Sequence, residues 1–197
     1  LKIPYTGNGA AASSLCMNKY LAKKQWAKDN VSTPLFMLAN SPDDYTILRK
    51  YFGDEFILKP ASSGSSLGVS IVKNNNDYME AFDNASRIDS TIIAETYISG
   101  NEYAIPILNN AALPIIEIKP KTNFYNFDAK YNRKDTEFIC PANLSKEFVE
   151  KINEKSLDAF FSLGCTGYGR VDFMIDDKKE LFFIEVNTIP GFTDHSL

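Results

Sequence analysis

Gly169-Arg170-Val171-Asp172-Phe173-Met174-Ile175 and Leu181-Phe182-Phe183-Ile184-Glu185-Val186-Asn187 are two β-type runs separated by the polar Asp176-Asp177-Lys178-Lys179-Glu180. Apolar and polar residues alternate along both runs and turn formers lie between them, so the segment predicts a β-hairpin. With the turn centred between Lys178 and Lys179, opposed residues have numbers summing to 357, which sets Asp172 against Glu185 and Arg170 against Asn187. Side chains alternate at period two, so all four share one face. Two facing carboxylates repel unless positive charge lies between them. An oxygen-rich set of Asp172, Glu185 and Asn187 suits magnesium, whereas a solvated face with Arg170 as the neutralising charge is the plainer alternative.

Upstream, residues 55–59 read as a strand ending in Lys59, followed by Pro60-Ala61-Ser62-Ser63-Gly64-Ser65-Ser66-Leu67-Gly68 and a second strand over 69–72. A loop of small and hydroxyl residues can fold backbone N–H groups around phosphate, and the lysine supplies charge. No Gly-Lys-Ser/Thr closes this loop and a strand follows it, which excludes a Walker A loop. By itself such a loop is more often a plain hairpin connection.

The rest of the chain predicts mixed α and β structure. A helix is expected over 13–29, capped by Ser13 or Ser14, with Met17, Tyr20, Leu21 and Trp26 on its apolar side. Asn76 is placed to cap a helix through Ala85. A buried strand is expected over 91–95, and strands over 102–108 and 113–119 should form a hairpin around Asn109-Asn110. Residues 120–136 have no period and read as a long loop able to cover a site. Ser145 caps a last helix with Phe148, Val149, Ile152, Ala159, Phe160 and Leu163 inward, ending before Gly164.

The 197 residues are 44% hydrophobic and 23% charged, which fits a folded protein with one core or two small ones. There is no apolar run of membrane-spanning length and no signal-peptide pattern, so no membrane association is expected. Cys16, Cys140 and Cys165 lack disulfide or zinc spacing and fit a cytoplasmic setting. The formal charge of −4, with scattered lysines, argues against nucleic acid as a partner. The abrupt start and end read as a piece of a longer protein.

Taken in order, Ile3-Pro4-Tyr5-Thr6-Gly7, Lys59-Pro60, Gly64-Ser65-Ser66-x-Gly68, Phe124-Tyr125, Ala129-Lys130-Tyr131, Gly169-Arg170-x-Asp172 and Glu185-x-Asn187-Thr188-x-Pro190-Gly191 resemble the D-alanine–D-alanine ligase family over nearly the whole chain. The resemblance implies an α+β ATP-grasp fold, two α+β lobes with the nucleotide between them. Residues 1–12 would be the tail of an N-terminal domain, 13–97 the central lobe, and 98–197 a truncated C-terminal lobe carrying the lid loop and metal hairpin. It further implies ATP and two magnesium ions, with manganese as a substitute, as cofactors. The reaction would be an ADP-forming ligation of two D-alanines for peptidoglycan synthesis, and hence for cell-wall biogenesis and cell shape.

Carried over residue by residue, Lys19 and Lys59 resemble phosphate-binding lysines and Ser66 the loop over the terminal phosphates. Glu95 to Ile98 would form the adenine-binding linker, Glu102 would bond the ribose and Phe124 would lie over the purine. Lys130 would reach the transferred phosphate. Asp172, Glu185 and Asn187 resemble metal ligands, and Arg170 with the Gly191 backbone resembles the groups that stabilise the tetrahedral intermediate. Tyr131 and Ser65 resemble a hydrogen-bonded catalytic pair, and Ser196 and Leu197 positions that bind the second substrate. His195 would line the substrate pocket at most. Tyr131 favours an amino acid as second substrate, with D-serine the alternative to D-alanine. The intact protein could be a homodimer. Departures from the family pattern are Asn18, where an acid usually precedes the lysine, and uncharged residues at Ser62 and Ser63. The reading from another class is a non-catalytic nucleotide-binding module.

Overall fold

The structure, a computed structural model, describes residues 5–119 and 136–191. Among these residues two antiparallel sheets form. The first has the order β1-β4-β2-β3, from β1 (Phe36–Ala39), β2 (Phe56–Pro60), β3 (Ser70–Val72) and β4 (Ile92–Thr96). Helices α3 (Tyr45–Phe52) and α4 (Asn75–Ser86) cover it, with Leu48, Tyr78, Ala81 and Ala85 packed on Phe56, Leu58, Val72, Ile92 and Ala94. Alternation then turns Ile57 and Lys59 of β2, and Ile93 and Glu95 of β4, to the opposite face.

The second sheet runs β10-β9-β5-β7-β8. Its strands are β5 (Gly100–Leu108), β7 (Ile116–Lys119), β8 (Glu137–Ile139), β9 (Tyr168–Asp176) and β10 (Leu181–Asn187), and the short β6 (Ala111–Ala112) pairs with β5. Its inner face presents Tyr103, Ile105, Ile107, Val171, Phe173, Leu181 and Phe183 to α5 (Lys146–Ser162). Ser145 caps α5 by accepting from the Phe148 N–H at 3.3 Å. Ala12 and Cys16 of α1 (Ala10–Met17) and Ala22 and Trp26 of α2 (Lys19–Lys28) join the same core. The indole of Trp26 donates to the Ala159 carbonyl at 2.9 Å, which ties α2 to α5.

Several sequence expectations need correction. The single helix over 13–29 is two helices, because Asn18 is extended and caps α2 through its side chain, accepting from the Leu21 N–H at 3.1 Å. Asparagine fills that position as well as aspartate does, so the departure there is structurally neutral. The break also resets the helical phase: Met17 and Leu21 are exposed, while Lys23 and Trp26 face inward. The cap of α4 is Asn74, which accepts from Asn76 and Asp77. Strand β1 and helix α3 were absent from the sequence reading.

The hairpin forms, but with an irregularity. Leu181, Phe182 and Phe183 pair with Ile175, Met174 and Phe173, whereas Glu185, Val186 and Asn187 pair with Asp172, Val171 and Arg170. The first set sums to 356 and the second to 357, so β10 carries one extra residue, Ile184, as a β-bulge. Phe183 therefore stays in the core while Ile184 and Glu185 both turn outward. The expected pairing of the four polar residues is met only because of this bulge.

Candidate functional site

The outward faces of the two sheets meet across a cavity of about 460 Å³, a size in the range of small-molecule sites. Ile57 of β2 and Val69 just before β3 line it on one side, and Met174 and Ile184 of the second sheet on the other. The connecting backbone at Thr96, Tyr97 and Ile98 closes one side, and Gly100 opens β5 directly after it. A Cβ at Gly100 would collide with the backbone carbonyl of Ile175, so this close approach of β5 to β9 requires glycine.

Charged groups occupy the other end. Lys19, at the first turn of α2, donates to the Ser63 carbonyl at 2.5 Å and lies 3.0 Å from Glu185 Oε2. One ammonium thus joins the Ser/Gly loop to the hairpin of the second sheet. Arg170 grips Asp172 with two bonds, Nε to Oδ1 at 2.7 Å and Nη2 to Oδ2 at 2.9 Å. Asn187 Nδ2 reaches Asp172 Oδ2 at 2.8 Å and Glu185 Oε1 at 3.5 Å. Burial works against the Arg170 charge, but Asp172 and, more weakly, Glu185 and Glu102 outweigh it and raise its pKa above the ordinary value.

Beneath the cavity is a group of buried charges. Glu95 Oε2 is 2.9 Å from Lys59 Nζ, and Glu95 Oε1 is 3.3 Å from Lys23 Nζ. The second contact is ionic without hydrogen-bond alignment, leaving Oε1 with no hydrogen-bond donor among the described residues. Burial acts to raise the Glu95 pKa, yet Lys23 and Lys59 together hold it below the ordinary carboxylate value. Lys23 is pulled down to about 8, chiefly by burial and against the attraction of Glu95.

The Ser/Gly loop is held in a shape that side chains rarely adopt. Ser65 and Ser66 have φ of 56° and 57°, and Gly68 has φ of 74°. Consecutive left-handed residues at serine are uncommon and mark a loop fixed by its surroundings. Its base is anchored by Asp89, which accepts from Ser62 N at 2.8 Å and from Thr91 N at 2.9 Å.

Of the sequence candidates, Lys19, Lys59, Ser66, Glu95, Ile98, Glu102, Asp172 and Glu185 line this one cavity. Ser65 neighbours Ser66 in the loop, Arg170 and Asn187 hold Asp172, and Gly191 is the last described residue and is exposed. Phe124, Lys130, Tyr131, His195, Ser196, Leu197 and nearly all of the expected 120–136 lid lie outside the described residues.

Besides the apolar lining, Lys23 and Asn8 were missed by sequence reasoning. Lys23 sits four positions after Lys19, on the same helical face as Ala22 and Trp26, a spacing that could have revealed it. Asn8 is buried and ties three segments together: it donates to Tyr168 O at 2.7 Å and Thr188 O at 3.3 Å and accepts from Thr166 N at 2.7 Å. It thereby fixes the backbone just after Asn187, and nothing in the local sequence signals this.

A family model described as the D-Ala–D-Ala ligase C-terminus matches residues 46–197. The chain is 41% identical over 197 residues to a D-alanine–D-alanine ligase of Dechloromonas aromatica, covering all of this chain and 65% of that protein. Two solved structures of the D-alanine–D-alanine ligase from Bacillus anthracis superpose with TM-scores of 0.85 and 0.81 at 34% and 30% identity, the second complexed with ATP. Both cover 99% of this chain, and respectively 64% and 62% of the solved chains. The VanG D-Ala:D-Ser ligase from Enterococcus faecalis superposes with a TM-score of 0.85 at 29% identity, covering 99% of this chain and 59% of that one. The chain thus spans 59–65% of the length of these relatives.

Proposed function

This chain belongs to the D-alanine–D-alanine ligase family and has its ATP-grasp fold, and on that premise we propose that it is the ATP-binding and catalytic portion of an enzyme joining two D-alanines. A carboxylate is a poor electrophile. The γ-phosphate of ATP therefore goes first to one D-alanine, giving an acyl phosphate and ADP. The amine of the second D-alanine then attacks the acyl carbon and expels phosphate, leaving the dipeptide. The observation that carries this reading is the meeting, in one cavity, of Lys19, Lys59 and Ser66 from the first half with Glu102, Asp172 and Glu185 from the second.

The purine would lie between Ile57 and Val69 on one side and Met174 and Ile184 on the other, with Glu95 to Ile98 along its edge and Glu102 toward the ribose. Lys19, Lys59 and the loop at Ser66 would receive the phosphates. Preorganised positive charge counts for more here than in water, because these groups are already desolvated and need not reorganise. Arg170, held on Asp172, would supply such charge where the oxyanion develops, together with the Gly191 backbone.

Asp172, Glu185 and Asn187 form an all-oxygen donor set once the Asn187 amide presents its oxygen, which fits a hard cation such as magnesium. Two carboxylates paired across strands β9 and β10, now balanced by Arg170 and Lys19, are also the arrangement that gains most from such an ion. Bound there, magnesium would offset charge on the phosphoryl oxygens.

The likeness to the VanG D-Ala:D-Ser ligase gives the second reading, D-serine as the second substrate. Mass-spectrometric product analysis of the full-length protein with ATP, magnesium and a D-alanine/D-serine mixture separates the two. D-alanyl-D-alanine is the expected product. D-alanyl-D-serine would move the specificity to the second reading, and folded, ATP-binding protein that makes no dipeptide would point to a non-catalytic nucleotide module.

A further inference from the structure

Lys23 has no part in the reaction described above, yet its side chain is entirely buried beside the cavity. It leaves the same face of α2 as Lys19, one turn further on. Its ammonium donates to Thr33 Oγ1 at 2.6 Å, and that hydroxyl donates to the Phe183 carbonyl of β10 at 2.8 Å. Lys23 is therefore fixed to the second sheet while it reaches Glu95 on the first.

Charge balance shows what this arrangement achieves. Lys59 and Glu95 alone would form a closed neutral pair at 2.9 Å, and the lysine's field toward the cavity would be largely cancelled by its partner. With Lys23 included, two ammonium groups share one carboxylate, and the group keeps a single positive charge. Burying a further ammonium is unfavourable in itself, since the desolvation of a charge is only partly offset by one ionic contact. The depressed pKa of Lys23 reflects that burial, and a value of about 8 still leaves it mostly protonated at neutral pH.

We propose that Lys23 is a positioning residue of the nucleotide site, holding the Glu95 carboxylate so that Lys59 retains an uncancelled charge for the ligand's polyphosphate. This rests on the reading of the cavity as an ATP site. The alternative is that Lys23 only fills and staples the core, and the two differ in what its removal does to phosphate-bearing and phosphate-free ligands.

The test is calorimetric binding of ATP, with magnesium, and of adenosine to the full-length protein, read as the ratio of the two affinities. Lys23→Met should lower ATP affinity about tenfold with adenosine affinity unchanged, the order expected for one nearby buried charge. Lys23→Arg keeps the charge and should keep the wild-type ratio. If Lys23→Met does not fold, Lys23→Gln, which keeps a hydrogen-bond donor toward Thr33 and Glu95 without the charge, carries the same prediction.

An unchanged ratio in the uncharged variant, including an equal fall for both ligands, overturns the proposal, as does a Lys23→Arg ratio that falls as far as that of Lys23→Met. Wild-type protein that binds no ATP would instead overturn the nucleotide reading and this proposal together.

Discussion

Asp172→Asn keeps the shape of the side chain and removes its charge, which makes it the sharpest probe of the hairpin site. Among its contacts Asp172 accepts two bonds from Arg170 and one from Asn187, and its side chain is only 7% exposed. An amide oxygen in the Oδ2 position keeps the bonds from Arg170 Nη2 and Asn187. Its NH2 group then faces Arg170 Nε, donor against donor. Loss of charge assistance weakens the Arg170 bonds by about 1 kcal/mol each, and a buried unmatched donor adds about 1–3 kcal/mol. The sum is about 3–5 kcal/mol of stability, and the low end is expected because Glu185 also attracts the guanidinium. Urea unfolding followed by circular dichroism measures this directly.

Function should fall further than stability does. Metal-dependent ATP turnover by the full-length variant, assayed where it remains folded, should drop on the order of 10²–10³-fold, since both a proposed metal ligand and the anchor of Arg170 are altered. A stability change below about 1 kcal/mol would refute the electrostatic account of the Arg170 grip. Unchanged turnover in folded protein would refute the placement of the metal site.

Other outcomes follow from the buried charges and the tight backbone. The native Glu95 pKa lies below its ordinary value of 4.5, so its contribution to stability is present above that pH and is lost as pH falls through the native value. The stability gap between wild type and Glu95→Gln should accordingly close in acid. Lys23 behaves oppositely: between about 8 and its ordinary 10.5 the unfolded chain holds a proton that the native state has released. Wild type should therefore gain stability relative to Lys23→Met across that window in pH-dependent denaturation. Gly100→Ala should lower stability by about 3 kcal/mol in thermal unfolding, because the clash is with the Ile175 carbonyl and not with a movable side chain; a change within about 0.5 kcal/mol would show that the β5–β9 edge can shift. Cys140 is exposed while Cys16 and Cys165 are buried with their sulfurs 3.4 Å apart, so of these three thiols Cys140 should react fast in native protein and the other two only on unfolding, as peptide mapping of the labelled thiols would show.

The sequence by itself determined the parts whose physics is local or periodic. The alternating pattern over 169–175 and 181–187 was enough to predict the hairpin, though the meeting of Arg170, Asp172, Glu185 and Asn187 depends on the bulge; Ser145 and Gly164 bounded α5, and Lys59 with its Ser/Gly loop read directly as strand and turn. The motif order was enough to reach the family. Tertiary structure alone decided the rest. A bulge at Ile184 cannot be read from composition, because only packing of Phe183 against the core and Glu185 against Lys19 reveals which residue is extra. Trp26 reaches the second sheet's core, and Lys23 turns inward, because Asn18 breaks the helix and because Glu95, more than seventy positions away in sequence, supplies the partner that makes a buried lysine tolerable. Period and capping are properties of neighbours along the chain, whereas compensation of a buried charge depends on which distant segments the fold brings within a few ångströms.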